Sequence, residues 1–118
     1  MAAARPEIRG TFGAVGSTHW VASHVGMAMM ERGGNAADAA VAAGFALQVV
    51  EPHQNGPAGD VPIIVQDATG EARGICGQGP APKAATIAAY RALGVELIPG
   101  TGLLAAVVPG AFDAWMIL

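Results

Sequence analysis

Two runs decide the fold: Glu31-Arg32-Gly33-Gly34-Asn35-Ala36-Ala37-Asp38-Ala39-Ala40-Val41-Ala42-Ala43 and, after a short apolar continuation, Val50-Glu51-Pro52-His53. Gly33-Gly34 is a helix stop, because glycine enters the left-handed region without a Cβ penalty. Asn35 is a helix start, and Asp38 at the third helical position completes a capping box, though with a shorter acid than the usual Glu. The helix these signals predict runs over 36–50 and is apolar nearly all round. A helix of that kind is buried on most sides. Its alanines and Gly44 leave room for another backbone to come close. Glu51-Pro52 ends it, since the residue before proline disfavours helix.

Upstream, Thr11 to Gly16 reads as a short strand bounded by glycines. Ser17 or Thr18 can cap a helix from about His19 to Arg32, with Val21, Val25, Ala28 and Met29 on one face. Downstream, residues 51–60 (EPHQNGPAGD) form a Gly/Pro/Asn loop. Val61–Asp67 and Ala72–Gly77 read as a hairpin around Ala68-Thr69-Gly70-Glu71. Residues 77–83 (GQGPAPK) make a second stiff loop. Thr86 caps a short helix closed by Gly94. Leu103 to Val108 reads as a buried strand broken by Pro109-Gly110, and a helix follows from Ala111. That helix reaches Trp115-Met116-Ile117-Leu118 with no stop signal, so the natural chain is expected to continue. An apolar end of this kind should make the isolated 118 residues oligomeric or poorly soluble.

Composition removes several functions. The length is that of one domain, or of part of a larger one. The formal net charge is -3 and no basic run is present, which argues against nucleic acid or an anionic membrane as partner. Charged residues are only 13% and hydrophobic ones 53%, so the chain folds rather than staying disordered. Residues 1–10 are a polar leader without an apolar core, so no signal peptide is visible and the expected location is cytoplasmic. The run from Ala36 to Val50 is too short to span a bilayer.

The residues also limit the chemistry. Cys76 is the lone cysteine, so an intrachain disulfide and a CxxC site are excluded, and in a strand it reads as a small buried hydrophobe. His19 and His24 stand five apart, about 140° around a helix, and cannot share a metal on one face. With His53 they read as capping or surface residues. No GxSxG elbow or Walker A loop is present, which removes a nucleotide-binding reading. Gly74, Gly77 and Gly79 do not follow the dinucleotide order. The loops 51–60 and 77–83 remain as the places where a ligand could be gripped.

The quoted runs resemble the N-terminal signature of the gamma-glutamyltransferase (glutathione hydrolase) family, GGNAxDAAVAA followed by VEPH and a glycine-rich loop, here Asn55-Gly56-Pro57-Ala58-Gly59-Asp60. Ala81-Pro82-Lys83-Ala84-Ala85-Thr86 resembles the family's APxxAT segment, and Val107-Val108-Pro109-Gly110 its VPG turn. The likeness runs from about Gly13 to the end. It implies an α+β chain that is part of an N-terminal-nucleophile hydrolase αββα sandwich, with residues 11–118 forming the N-terminal portion of the large subunit. It implies a self-cleaving precursor whose small subunit begins with a nucleophilic Thr, the α-amine serving as base. None of Thr11, Thr18, Thr69, Thr86 or Thr101 matches that Thr. The chain alone therefore holds no catalytic residue and is expected to be inactive. The partners implied are the rest of the large subunit, the small subunit and a gamma-glutamyl substrate, with no metal or cofactor.

One position departs from the family pattern. Typical members carry an Arg three residues before the Ala-Pro of APxxAT, where it clamps the substrate carboxylate. Here that residue is Gln78, the candidate substrate-binding side chain. A neutral amide cannot offer the charged bidentate fork. Either another cation replaces it, with Arg73 close in sequence, or the substrate differs. Ala58 and Asp60 also stand where many members have glycine. The resemblance therefore leans toward hydrolysis, of gamma-glutamyl groups or of another small amide or acyl compound. The alternative is a non-catalytic truncated product or an interaction module.

Overall fold

The computed structural model describes residues 7–118, so the first six residues of the polar leader lie outside the described residues. The chain divides into two compact units, residues 1–55 and 56–118.

The first unit is a helical pair, α1 (Trp20–Glu31) and α2 (Ala36–Val50). α1 is capped by His19, whose Nδ1 accepts from the Val21 N–H at 3.2 Å. Neither Ser17 nor Thr18 caps it, contrary to expectation. Ser17 Oγ donates to the His19 carbonyl at 2.7 Å and sits 2.7 Å from Ser23 Oγ. Thr18 Oγ1 donates to Glu51 Oε2 at 2.5 Å, which ties the start of α1 to the end of α2. Gly33 (φ 94°) and Gly34 donate to the Met30 and Met29 carbonyls, the paired bonds of a Schellman stop. Asn35 then opens α2 with the predicted box: its side chain accepts from Ala37 and Asp38, and Asp38 accepts from the Asn35 N–H at 2.8 Å.

Small residues set how closely the two helices approach. Ala22 and Gly26 repeat at i, i+4 on α1, and Ala39 and Ala43 do so on α2; all four are buried. A Cβ on Gly26 would lie 3.0 Å from the Ala39 carbonyl oxygen and 3.3 Å from the Ala43 methyl. Outside this stripe α2 is half-buried or exposed, with Val49 78% exposed, so the expectation of a helix buried on most sides is corrected. α1 is the element packed on it, and one neighbour covers one face. Thr11–Gly16 is not a strand. A strand needs a ladder partner, and here Gly13 lies against the Met30 side chain instead.

The second unit starts from a hairpin, β1 (Val61–Gln66) and β2 (Ala72–Gly77), antiparallel with Val61 opposite Gly77 and Gln66 opposite Ala72. Its turn is built by Asp67. The Asp67 carbonyl accepts from Gly70 (φ 86°) at 3.0 Å, and its carboxylate accepts from the Thr69 N–H at 2.8 Å and from the Thr69 hydroxyl. These hydrogen bonds, the hydroxyl's first, hold the Asp67 carboxyl below its ordinary value. α3 (Ile87–Ala92) follows, capped by Thr86 and stopped by Gly94 (φ 72°). Leu103–Val108 is not a buried strand. Leu103–Ala105 forms a short 3₁₀ turn, and Leu103 is 94% exposed. Gly100 and Gly102 before it and Pro109 after it confine the segment, and no strand lies beside it to pair with it among the described residues. α4 (Ala111–Ile117) then packs on the hairpin, burying Ala111 and Ala114. Among the described residues, no helix is long and apolar enough to cross a membrane.

Candidate functional site

Three loops of the second unit are fastened to one another through main-chain groups. Gly59, in the loop before β1, accepts from the N–H groups of Gly110 (3.4 Å) and Ala111 (3.1 Å). Pro80, in the loop after β2, accepts from Val108 at 2.9 Å. The VPG turn at 107–110 thus clasps 56–60 on one side and 77–83 on the other. Bonds of this kind need bare backbone at the crossing. A Cβ on Gly79, at φ 68°, would overlap the Val108 carbonyl oxygen. A Cβ on Gly110 would lie 2.7 Å from both Gly77 O and Gly79 N, and one on Gly77 would lie 2.5 Å from the Ala114 methyl. The glycines of GQG and VPG are therefore packing requirements.

Gln78 sits between two of those glycines and is exposed. Its Oε1 lies 3.9 Å from Cys76 Sγ. Cys76 is exposed as well, which corrects the expectation of a buried hydrophobe. The strand alternates, and Cys76 falls on the face away from α4, opposite Pro62. Arg73 is placed elsewhere. It pairs with Val65 near the turn, and its Nη2 lies 3.0 Å from Asp67 Oδ2 and 3.9 Å from Glu71 Oε2. A cleft of about 380 Å³ opens beside it, lined by Val65, Asp67, Glu71, Arg73, Ile75 and Ile117 among others, and Gln78 is not part of its wall.

The predicted loop 51–60 does not act as one piece. Residues 51–55 close the first unit: Glu51 caps α2, holds Thr18, and accepts from the Gln54 and Asn55 backbone. His53 is exposed and touches the Gln54 amide at 3.3 Å. His19 is the α1 cap and His24 is exposed. Among the described residues, no three His, Cys, Asp or Glu side chains gather where they could hold a metal ion. Sequence reading identified GQGPAPK and VPG as separate turns but missed that they bond to each other. The signal available was the glycine on each side, Gly79 and Gly110.

A family profile described as Gamma-glutamyltranspeptidase matches residues 22–118. The glutathione hydrolase-like YwrD proenzyme of Bacillus subtilis (strain 168) is 38% identical over 108 residues, which is 90% of this chain and 20% of that protein. The oxamate amidohydrolase proenzyme of Klebsiella pneumoniae subsp. pneumoniae is 36% identical over 107 residues, again 90% of this chain and 20% of its own length. A solved structure of LmbA2991HD matches with a TM-score of 0.91 and 63% identity, covering 99% of this chain and 20% of that one. The chain thus spans about a fifth of the length of the relatives it matches. The profile covers residues 22–118 and the relatives align over nine-tenths of the sequence, and the chain belongs to the gamma-glutamyltranspeptidase family.

Proposed function

We propose that this chain is the N-terminal large-subunit portion, residues 11–118, of a gamma-glutamyltransferase-like amide hydrolase made as a self-cleaving precursor. The observation that carries the reading is the family match over residues 22–118 to relatives named as proenzymes. In this reading β1 and β2 belong to one sheet of an αββα sandwich completed by the rest of the precursor. The small subunit supplies a Thr whose hydroxyl attacks the amide carbon while its own α-amine takes the proton. The amine leaving group departs, an acyl-enzyme remains, and water or an amino acid takes the acyl group. This chain contributes scaffold and the clasped loops, with Gln78 facing the substrate. The remaining large subunit, the small subunit and a gamma-glutamyl compound such as glutathione are the partners, at a cytoplasmic location.

A second reading within the family is hydrolysis of another small amide. Gln78 in place of an arginine favours it, as does the likeness to an oxamate amidohydrolase. The test is an amidase assay on two proteins, the full gene product and residues 1–118 alone. The full product is expected to release the amine from gamma-linked amides and the short chain to release none. Equal activity in both would place the nucleophile inside these 118 residues and refute the proposal.

A further inference from the structure

The structure separates Gln78 from the cation that could compensate for it. Gly77 pairs with Val61 at one end of the hairpin and Arg73 with Val65 toward the other, about 13 Å apart along the strand. By strand alternation Arg73 lies on the face that carries α4, and its guanidinium is engaged by Asp67 and Glu71. Gln78 lies beside Cys76 on the opposite face. Arg91, on α3, lines a different cavity with Tyr90 and Glu96. Asp60 directly precedes Val61 and Gln78 directly follows Gly77, so the two residues flank the last pair of the ladder. Asp60 is exposed. The pair at this end of the hairpin is thus one neutral amide and one carboxylate.

Resting on the reading of Gln78 as substrate-facing, we infer that this position selects a neutral, N–H-bearing group of the carboxamide class, and that Asp60 is a specificity-determining residue acting with it. A carboxamide accepts from the Gln78 amide N–H and donates to the Asp60 carboxylate. A carboxylate in the same place has one donor and faces a like charge, which disfavours it. Discrimination then comes from both an attractive and a repulsive element.

The test uses the processed enzyme from the full gene and two gamma-anilides, one carrying an α-carboxylate and the other an α-carboxamide. The carboxamide compound is expected to have the higher kcat/KM, by about tenfold or more, the scale of one charge-assisted hydrogen bond. Gln78→Arg should reverse the order. Asp60→Asn should narrow it by lowering KM for the carboxylate compound and leaving kcat unchanged. Intact mass shows whether each variant still cleaves itself, and so still folds. Lys83→Gln is expected to leave the ratio as it is. A wild-type preference for the carboxylate, a drop in carboxylate turnover on Lys83→Gln, or a ratio indifferent to Gln78→Arg overturns the inference. So does turnover of neither anilide by a processed enzyme, and all four outcomes leave the family-level reading standing. Failure to process at all defeats the parent reading as well.

Discussion

The unit up to Asn55 and the unit from Gly56 are closed by different parts of the chain. In the first, two regular helices meet along a stripe of Ala22, Gly26, Ala39 and Ala43, with side-chain caps at their N-terminal ends. In the second, a hairpin and a short helix are joined by loops whose main chains bond to each other at Gly59, Pro80, Val108 and Gly110. Helix interfaces of small residues tolerate modest change, because a side chain or a helix shifts by a few tenths of an ångström. A backbone-to-backbone crossing has no side chain to yield. Positional precision is therefore stored in the second unit's main-chain crossings. The loop that carries Gln78 is held by the less forgiving device, which suits the proposed role of that loop in presenting a group to a ligand.

Substitutions in each unit can break this contrast, read by hydrogen exchange over residues 7–55 and 56–118 separately. Gly79→Val should have the largest effect. It drives a Cβ into the Val108 carbonyl at positive φ, and protection of the Val108 and Gly110 amides should fall by about 3 kcal/mol with α1 and α2 unchanged. Gly26→Val should cost about 2 kcal/mol in the helical pair by overpacking the stripe, and leave the hairpin alone. Asn35→Ala removes the capping box and should cost about 1 kcal/mol, confined to the first turn of α2.

The smallest expected effect is acid loosening of the hairpin turn. Asp67 has its folded value lowered by Thr69, so its contribution is fully present above the ordinary carboxylate value of 3.8. It is lost as pH falls below that value and through the folded one. NMR titration of the full chain should place Asp67 below its ordinary value, and Thr69→Val should move it back toward that value. An unchanged Asp67 in the variant would show that the turn hydroxyl does not hold it.

What was legible in the sequence was local. Gly33-Gly34, Asn35 and Asp38 make their hydrogen bonds within a turn or two, and the structure places each of them as read. The hairpin over 61–77 was equally visible, since its turn is made by neighbours. The misreadings concern segments whose state depends on distant partners. Thr11–Gly16 and Leu103–Val108 have the residues of strands but no ladder to join among the described residues. His19 caps α1 while Ser17 and Thr18, better caps by propensity, bond to Ser23 and Glu51. Around Gln78, the irregular loop over GQGPAPK was readable from its glycines and prolines. The clasp with the VPG turn was not, because two backbone segments nearly thirty residues apart leave only glycines as their trace.

Intact mass spectrometry of the native gene product tests whether these residues are, as proposed, the scaffold of a self-processing hydrolase. Two chains are expected, with residues 11–118 inside the larger and a Thr at the N-terminus of the smaller. A single uncleaved species of 11.8 kDa would contradict it, because such a protein would contain no nucleophile of the expected kind.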